Sequence, residues 1–276
     1  MGEEGTEKNL EAFLRQPDVE VLGVCDVDRL RARAARLRVE QYYAAQTKAG
    51  TYAGCVETQD WRELVRRTDL DAVVISTPDH RHVPLSLAAI RSGKDVFCEK
   101  PYSLCIGEGR VLCTAAERAG AIHLTASEAR ATLSFYQAAA LARSGLLGRL
   151  HTIRIQIYRG YGEEERVPPP IAVRAETVPE ELDYDMWLGP APEAPYMKAR
   201  CHGSFRYNLD YAGGNMTDWG FHLLDVAQWG NDTETTGPMW VAGRAEYPTW
   251  GLFNAATDWD VQMGFANGTE LHFVSG

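Results

Sequence analysis

The sequence predicts an α/β Rossmann-like domain with a parallel sheet, followed by an α+β domain with an open, mainly antiparallel sheet. Three observations point there. The chain has 276 residues, which at roughly 150 residues per domain suggests two domains. Its first half alternates short, continuously apolar runs with stretches of helical period, the signature of strands buried on both faces. Its second half changes to strands that alternate polar and apolar residues, as half-exposed sheets do. Hydrophobic residues at 45% and charged residues at 24% are enough to build a core and exclude wholesale disorder.

The elements follow in order. Val19–Cys25 is β-rich and ends at Asp26, and Arg29–Gln46 favours helix. Asp71–Ser76 reads as a buried strand, followed by a helix over Val83–Ser92 that stops at Gly93. Asp95–Cys98 is another strand, Ile106–Ala119 a helix ending at Gly120, and Ile122–Thr125 one more strand. The domain boundary is expected between 127 and 128. Beyond it, His151–Tyr158 reads as an antiparallel strand and Glu163–Glu181, with Pro168-Pro169-Pro170, as a surface loop. Met216–Trp229 reads as a helix with Trp219, Leu223 and Val226 as its apolar face. Met239–Tyr247, Asp258–Phe265 and Glu270–Ser275 complete the sheet, with Asn267-Gly268 as a hairpin turn.

Composition narrows the partners. A net charge of -10 does not attract phosphate backbones, so nucleic acid is not an expected partner. No apolar stretch approaches the roughly 20 residues needed to span a bilayer, and no signal peptide is visible. A cytoplasmic protein is expected. The six cysteines include no Cys-x-x-Cys pair and no close Cys/His set, so no metal site is expected.

Candidate chemistry lies at strand ends and on one helix. Asp26, closing an early strand, suits the adenosine ribose hydroxyls of a dinucleotide, and its charge favours NAD over NADP. The glycine fingerprint expected upstream is represented only by Gly2-Glu3-Glu4-Gly5, which fits the last two glycines but, taken alone, better fits a disordered start. Ser76-Thr77-Pro78-Asp79-His80-Arg81-His82 and Glu99-Lys100-Pro101 follow two parallel strands, at the edge where ligands bind. The second of these also reads as a plain solvated turn. Asp218, His222 and Asp225 fall at i, i+4 and i+7, a polar stripe that suits a general base oriented by a carboxylate, or simply a paired surface stripe.

Taken together, Cys-Asp-Val-Asp (Cys25–Asp28), Ser-Thr-Pro-Asp-His-Arg-His (Ser76–His82), Glu-Lys-Pro (Glu99–Pro101) and Gly-Gly-Asn-Met-Thr-Asp-Trp-Gly-Phe-His-Leu-Leu-Asp (Gly213–Asp225) resemble the Gfo/Idh/MocA oxidoreductases. That family includes glucose–fructose oxidoreductase and inositol 2-dehydrogenase. Trp187–Pro192 and Arg200–Arg206 resemble a bacterial, sugar-related branch. The resemblance implies an NAD(P)-dependent dehydrogenase acting on a sugar, polyol or sugar derivative. It gives Lys100 the active-site lysine role, Asp218 the substrate-binding carboxylate and His222 the acid/base. Gly2, Gly5, Asp26, Ser76, Thr77, Pro78, His82, Glu99 and Lys100 would hold the cofactor. It also implies pairing of copies through the open sheet of the second domain.

Two departures stand out: Leu223 replaces a second histidine, and the glycine loop is short. Both ends are expected to be cut, with the first Rossmann strand missing and the second domain incomplete. Tyr158, Trp187 and Tyr207 are candidate faces for a sugar ring, or core residues. Two other functions use the same residues: glycoside cleavage through transient oxidation by tightly held NAD, and a non-catalytic dinucleotide-binding sensor.

Overall fold

The computed structural model describes residues 5–158 and 171–276. Gly2 and the three prolines Pro168-Pro169-Pro170 lie outside the described residues. The chain opens with a π-helical turn, Gly5–Leu10, that runs into α1 (Glu11–Leu14). Then come β1 (Gly23–Cys25), α2 (Arg29–Tyr42), α3 (Ala44–Ala49), β2 (Val56–Thr58) and α4 (Trp61–Val65). They are followed by β3 (Ala72–Ile75), α5 (His82–Arg91), β4 (Asp95–Glu99), α6 (Ile106–Ala119) and β5 (His123–Ala126). The remainder is α7 (Glu128–Ala131), α8 (Leu133–Arg143), β6 (Thr152–Ile157), α9 (Tyr184–Leu188), α10 (Asn215–Gly230), β7 (Trp240–Glu246), β8 (Asp258–Gly264) and β9 (Glu270–Ser275). No helix among the described residues is long and apolar enough to cross a membrane.

Two compact units emerge. Unit 1 joins Met1–Thr125 to Arg174–Gly203, and unit 2 joins Ala126–Val173 to Ser204–Gly276. The return of Arg174–Gly203 to unit 1 is not visible in the local pattern. It docks by main-chain bonds: Asp183 N–H donates to Val27 O at 2.9 Å and Arg29 N–H to Glu181 O at 2.9 Å.

Local chemistry explains the helices of unit 1. Asp28 caps α2 by accepting from Leu30 and Arg31 N–H, and the helix buries Ala32, Ala35 and Val39, spaced on one face. Gly120 ends α6 in the left-handed conformation, φ 63°, which costs glycine little. The parallel strands form two sheets, β1-β2 and β3-β4-β5. The structure therefore corrects one expectation. Asp71–Ser76 is not fully buried: Val74 is 39% exposed, and of the strand only Ile75 is buried, β3 being an edge strand of its sheet. The α1 helix reaches both sheets. Leu10 and Leu14 pack with Val24 of β1, while the Phe13 ring meets Phe97 of β4 edge-to-face at 5.2 Å.

Unit 2 is a four-stranded sheet in the order β6-β9-β8-β7. β7–β8 and β8–β9 are antiparallel, but β6 pairs with β9 in parallel, contrary to the reading of His151–Tyr158. Alternation reports which face is wet and is silent on direction. Ile153, Ile155 and Ile157 do face the core, with Trp259, Leu271 and Phe273. The turn at Asn267-Gly268 closes the last hairpin, Gly268 having φ 85° and its N–H bonding Phe265 O at 2.9 Å.

The core face of α10 also differs from expectation. Met216, Leu223, Leu224 and Ala227 pack on the sheet, whereas Trp219 is 54% exposed. Gly220 lets this helix approach closely: a methyl there would stand 2.8 Å from Phe273 Cζ. Phe273 is buried among packed neighbours, which resist its displacement. Gly220→Ala is expected to destabilise by about 1–3 kcal/mol by overpacking, outweighing a helix-propensity gain of up to about 1 kcal/mol. Urea unfolding measures it; a stabilised variant would show that Phe273 shifts freely.

Candidate functional site

In unit 1 the candidate residues gather at the carboxyl ends of the strands. Asp26 directly follows β1, is 8% exposed, and takes Asp28 N–H on Oδ1 at 2.9 Å. Ser76 and Thr77 follow β3; Glu99 ends β4 and Lys100 comes next. Asn9, which sequence reasoning passed over, ties two of these ends together. Its side-chain amide donates to Ser76 Oγ at 3.0 Å and to Glu99 Oε1 at 2.8 Å. Glu99 Oε2 also receives Lys100 N–H at 3.3 Å.

Pro78 precedes a short 3-10 turn, Asp79–Arg81, that leads into α5. His82 is 1% exposed, and its ring sits between two main-chain carbonyls, Nδ1 2.6 Å from Pro101 O and Nε2 2.9 Å from Thr77 O; the neutral ring donates its single N–H to one of them. The ring thus lies between the segment after β3 and the one after β4. Burial holds its pKa below the ordinary histidine range. Burial also depresses His80, to about 4, while its Nε2–H donates to Trp187 O at 3.1 Å. Trp187 is a packing residue, buried and stacked on Tyr184 with ring centres 5.9 Å apart. Cys98 is pushed up to about 12 by burial, as expected of an inert core thiol.

In unit 2 the candidates lie on α10, on the side away from the sheet. Asp218 forms an ion pair with Arg206, Oδ2 to Nε 3.3 Å. His222 is 6% exposed. Asp225 belongs to a separate ion network: Arg130 bonds it through Nε at 2.6 Å and Nη2 at 2.8 Å, and reaches Glu234 at 2.7 Å. The polar stripe is thus divided between two tasks, with Asp225 fastening α10 to α7.

The carboxyl edge of unit 1 fits a dinucleotide by its donor set. A carboxylate follows β1 of one parallel sheet, and in the other parallel sheet hydroxyl residues follow β3 while a Glu-Lys pair closes β4, each at the carboxyl end of its strand.

Comparison with known proteins identifies the family of both halves of the chain. The family model described as the NAD-binding Rossmann fold of the oxidoreductase family matches residues 2–127. The model for that family's C-terminal alpha/beta domain matches residues 135–273. The chain belongs to the Gfo/Idh/MocA oxidoreductase family.

Among Gfo/Idh/MocA relatives, levoglucosan dehydrogenase of Pseudarthrobacter phenanthrenivorans is 31% identical over 97 residues, covering 35% of this chain and 25% of that protein. Myo-inositol 2-dehydrogenase of Thermotoga maritima is 27% identical over 156 residues, covering 56% of this chain and 40% of that one. The matched stretches thus span less than half of either relative. The WlbA dehydrogenase of Bordetella pertussis, solved with NADH and UDP-GlcNAcA, superposes with a TM-score of 0.67 at 14% identity, covering 99% of this chain and 69% of that one. That likeness shows the shared fold.

Proposed function

We propose that this protein is an NAD-dependent dehydrogenase that oxidises a secondary hydroxyl of a sugar, cyclitol or sugar derivative. The observation that carries the reading is the joining of the Ser76 and Glu99 strand ends by Asn9, with Lys100 next in the chain. Two relatives, named for levoglucosan and myo-inositol, support the substrate class.

Each residue then has a task. Asp26 accepts hydrogen bonds from the adenosine ribose hydroxyls, and its charge disfavours a 2′-phosphate. Gly5, Ser76, Thr77, Pro78 and Glu99 border the cofactor. His82, held between Thr77 O and Pro101 O, fixes the segment that carries Lys100. Lys100 stabilises negative charge developing on the substrate oxygen. His222, as neutral imidazole, takes the hydroxyl proton. Arg206 balances the charge of Asp218, whose carboxylate accepts a hydrogen bond from a neighbouring substrate hydroxyl. Bound NAD supplies the hydride acceptor.

The test is a panel of sugars and cyclitols with NAD, followed by reduced-cofactor absorbance, together with calorimetry of NAD binding. Wild type should turn over at least one cyclic alcohol. Asp26→Asn keeps an acceptor for Asp28 N–H and should weaken NAD binding about tenfold, the size of one charged hydrogen bond. No turnover by wild type, with unaltered NAD affinity in Asp26→Asn, would overturn the reading.

A further inference from the structure

We propose that Trp219 is the stacking platform for the ring of the substrate, and that it selects cyclic alcohols over open-chain polyols. The proposal rests on the dehydrogenase reading above. It starts from an anomaly on α10. The apolar residues on one side of that helix, Met216, Leu223 and Leu224, pack against the sheet core. Trp219 does not join them, and over half of its surface is open to solvent. A large aromatic ring left exposed in mid-helix gains from covering its faces, and the gain is greatest for a ligand with a flat apolar side.

Its position gives that surface a use. Trp219 is next to Asp218 in sequence and three residues before His222, so the three side chains leave α10 on neighbouring stripes. The Trp219 and His222 ring centres are 6.4 Å apart with 65° between their planes. The two rings meet edge-on and are not stacked in parallel. Asp218 is ion-paired with Arg206, and its carboxylate is an acceptor suited to a ligand hydroxyl.

A pyranose or cyclitol suits this arrangement. Its axial C–H groups form an apolar face that lies on the electron-rich indole, while its hydroxyls point outward around the rim. Lying on Trp219, such a ring presents a rim hydroxyl toward the imidazole one helical turn along. An open-chain polyol has no comparable flat face and loses rotational freedom on binding. The indole thus acts on ring recognition, and the proton remains with His222.

The experiment compares wild type, Trp219→Ala and Trp219→Phe. With NAD saturating, the ratio of kcat/KM for myo-inositol or a pyranose over that for sorbitol should fall about tenfold in Trp219→Ala, with the loss in KM more than in kcat. Trp219→Phe, which keeps an aromatic face, should recover most of it. Independently of turnover, the ring C–H protons of myo-inositol should show upfield ring-current shifts with wild type that disappear in Trp219→Ala.

An unchanged ratio, or shifts that survive in Trp219→Ala, overturns the platform and leaves the dehydrogenase reading standing. Shifts lost in Trp219→Ala from a wild type without turnover on any alcohol uphold the platform and overturn that reading. No turnover and no shifts overturn both.

Discussion

Replacing His222 with Ala should lower kcat for alcohol oxidation by roughly 10²–10⁴, the usual worth of a positioned general base. NAD affinity should change little, because the residues proposed to hold the dinucleotide belong to unit 1 and His222 to unit 2. Since His222 is buried, His222→Gln serves as a second variant that preserves polarity and most of the volume. Lys100→Met should also reduce the rate, through loss of the positive charge proposed to stabilise the developing alkoxide. The comparison of the two is decisive. Near-full activity in His222→Ala, with none in Lys100→Met, would give the proton to the lysine and reverse the assigned roles. Steady-state kinetics with binding calorimetry reads both.

Acid should weaken unit 1 through His80. Its folded pKa is about 4 against an ordinary 6.5, because burial disfavours the charged ring. The sign follows from proton counting. Between those values the unfolded chain binds a proton that the folded chain does not, so stability falls as pH drops below about 6.5. From pH 7 to about 4.5 this one group should cost roughly 2–3 kcal/mol. His80→Gln retains a side-chain N–H for Trp187 O but does not titrate, so its urea midpoint should fall less steeply over the same range. Parallel pH dependences of the two proteins would show that the histidine titrates alike in folded and unfolded chains.

Much of the fold was legible because the relevant forces are local. The helix over Ile106–Ala119 is found at those residues, and the strand over Glu270–Ser275 likewise, since periodicity and end glycines are written in neighbouring residues. The candidate carboxyl-edge residues were legible for the same reason, as each ends an apolar run. What escaped depends on distance. Asn9 binds partners 67 and 90 positions away, which no local pattern announces. Arg174–Gly203 rejoins unit 1 through main-chain bonds that carry no residue signature. The α8 helix was passed over because its inward stripe, Phe135, Ala139 and Ala142, is mostly small alanines, while the larger Leu133, Tyr136 and Leu141 are exposed and blur the pattern. Trp219 was assigned to the core by helical spacing, a rule that gives the angle around the helix axis but not which angle faces the sheet.

The division of the parallel strands into two sheets has a mechanical consequence. In a continuous sheet, strain passes from strand to strand along a ladder of main-chain hydrogen bonds. Between β1 and β3 the load is instead carried by side chains: Leu10 and Leu14 grip one half, Phe13 grips the other, and the Arg67 guanidinium holds Leu22 O at 3.1 Å. Dispersion contacts of that kind are short-ranged and lose much of their strength over a fraction of an ångström. The two sheets are therefore tied on this side by side-chain packing and one bond to a main-chain carbonyl, with the Gly5–Leu14 helical segment as their clasp.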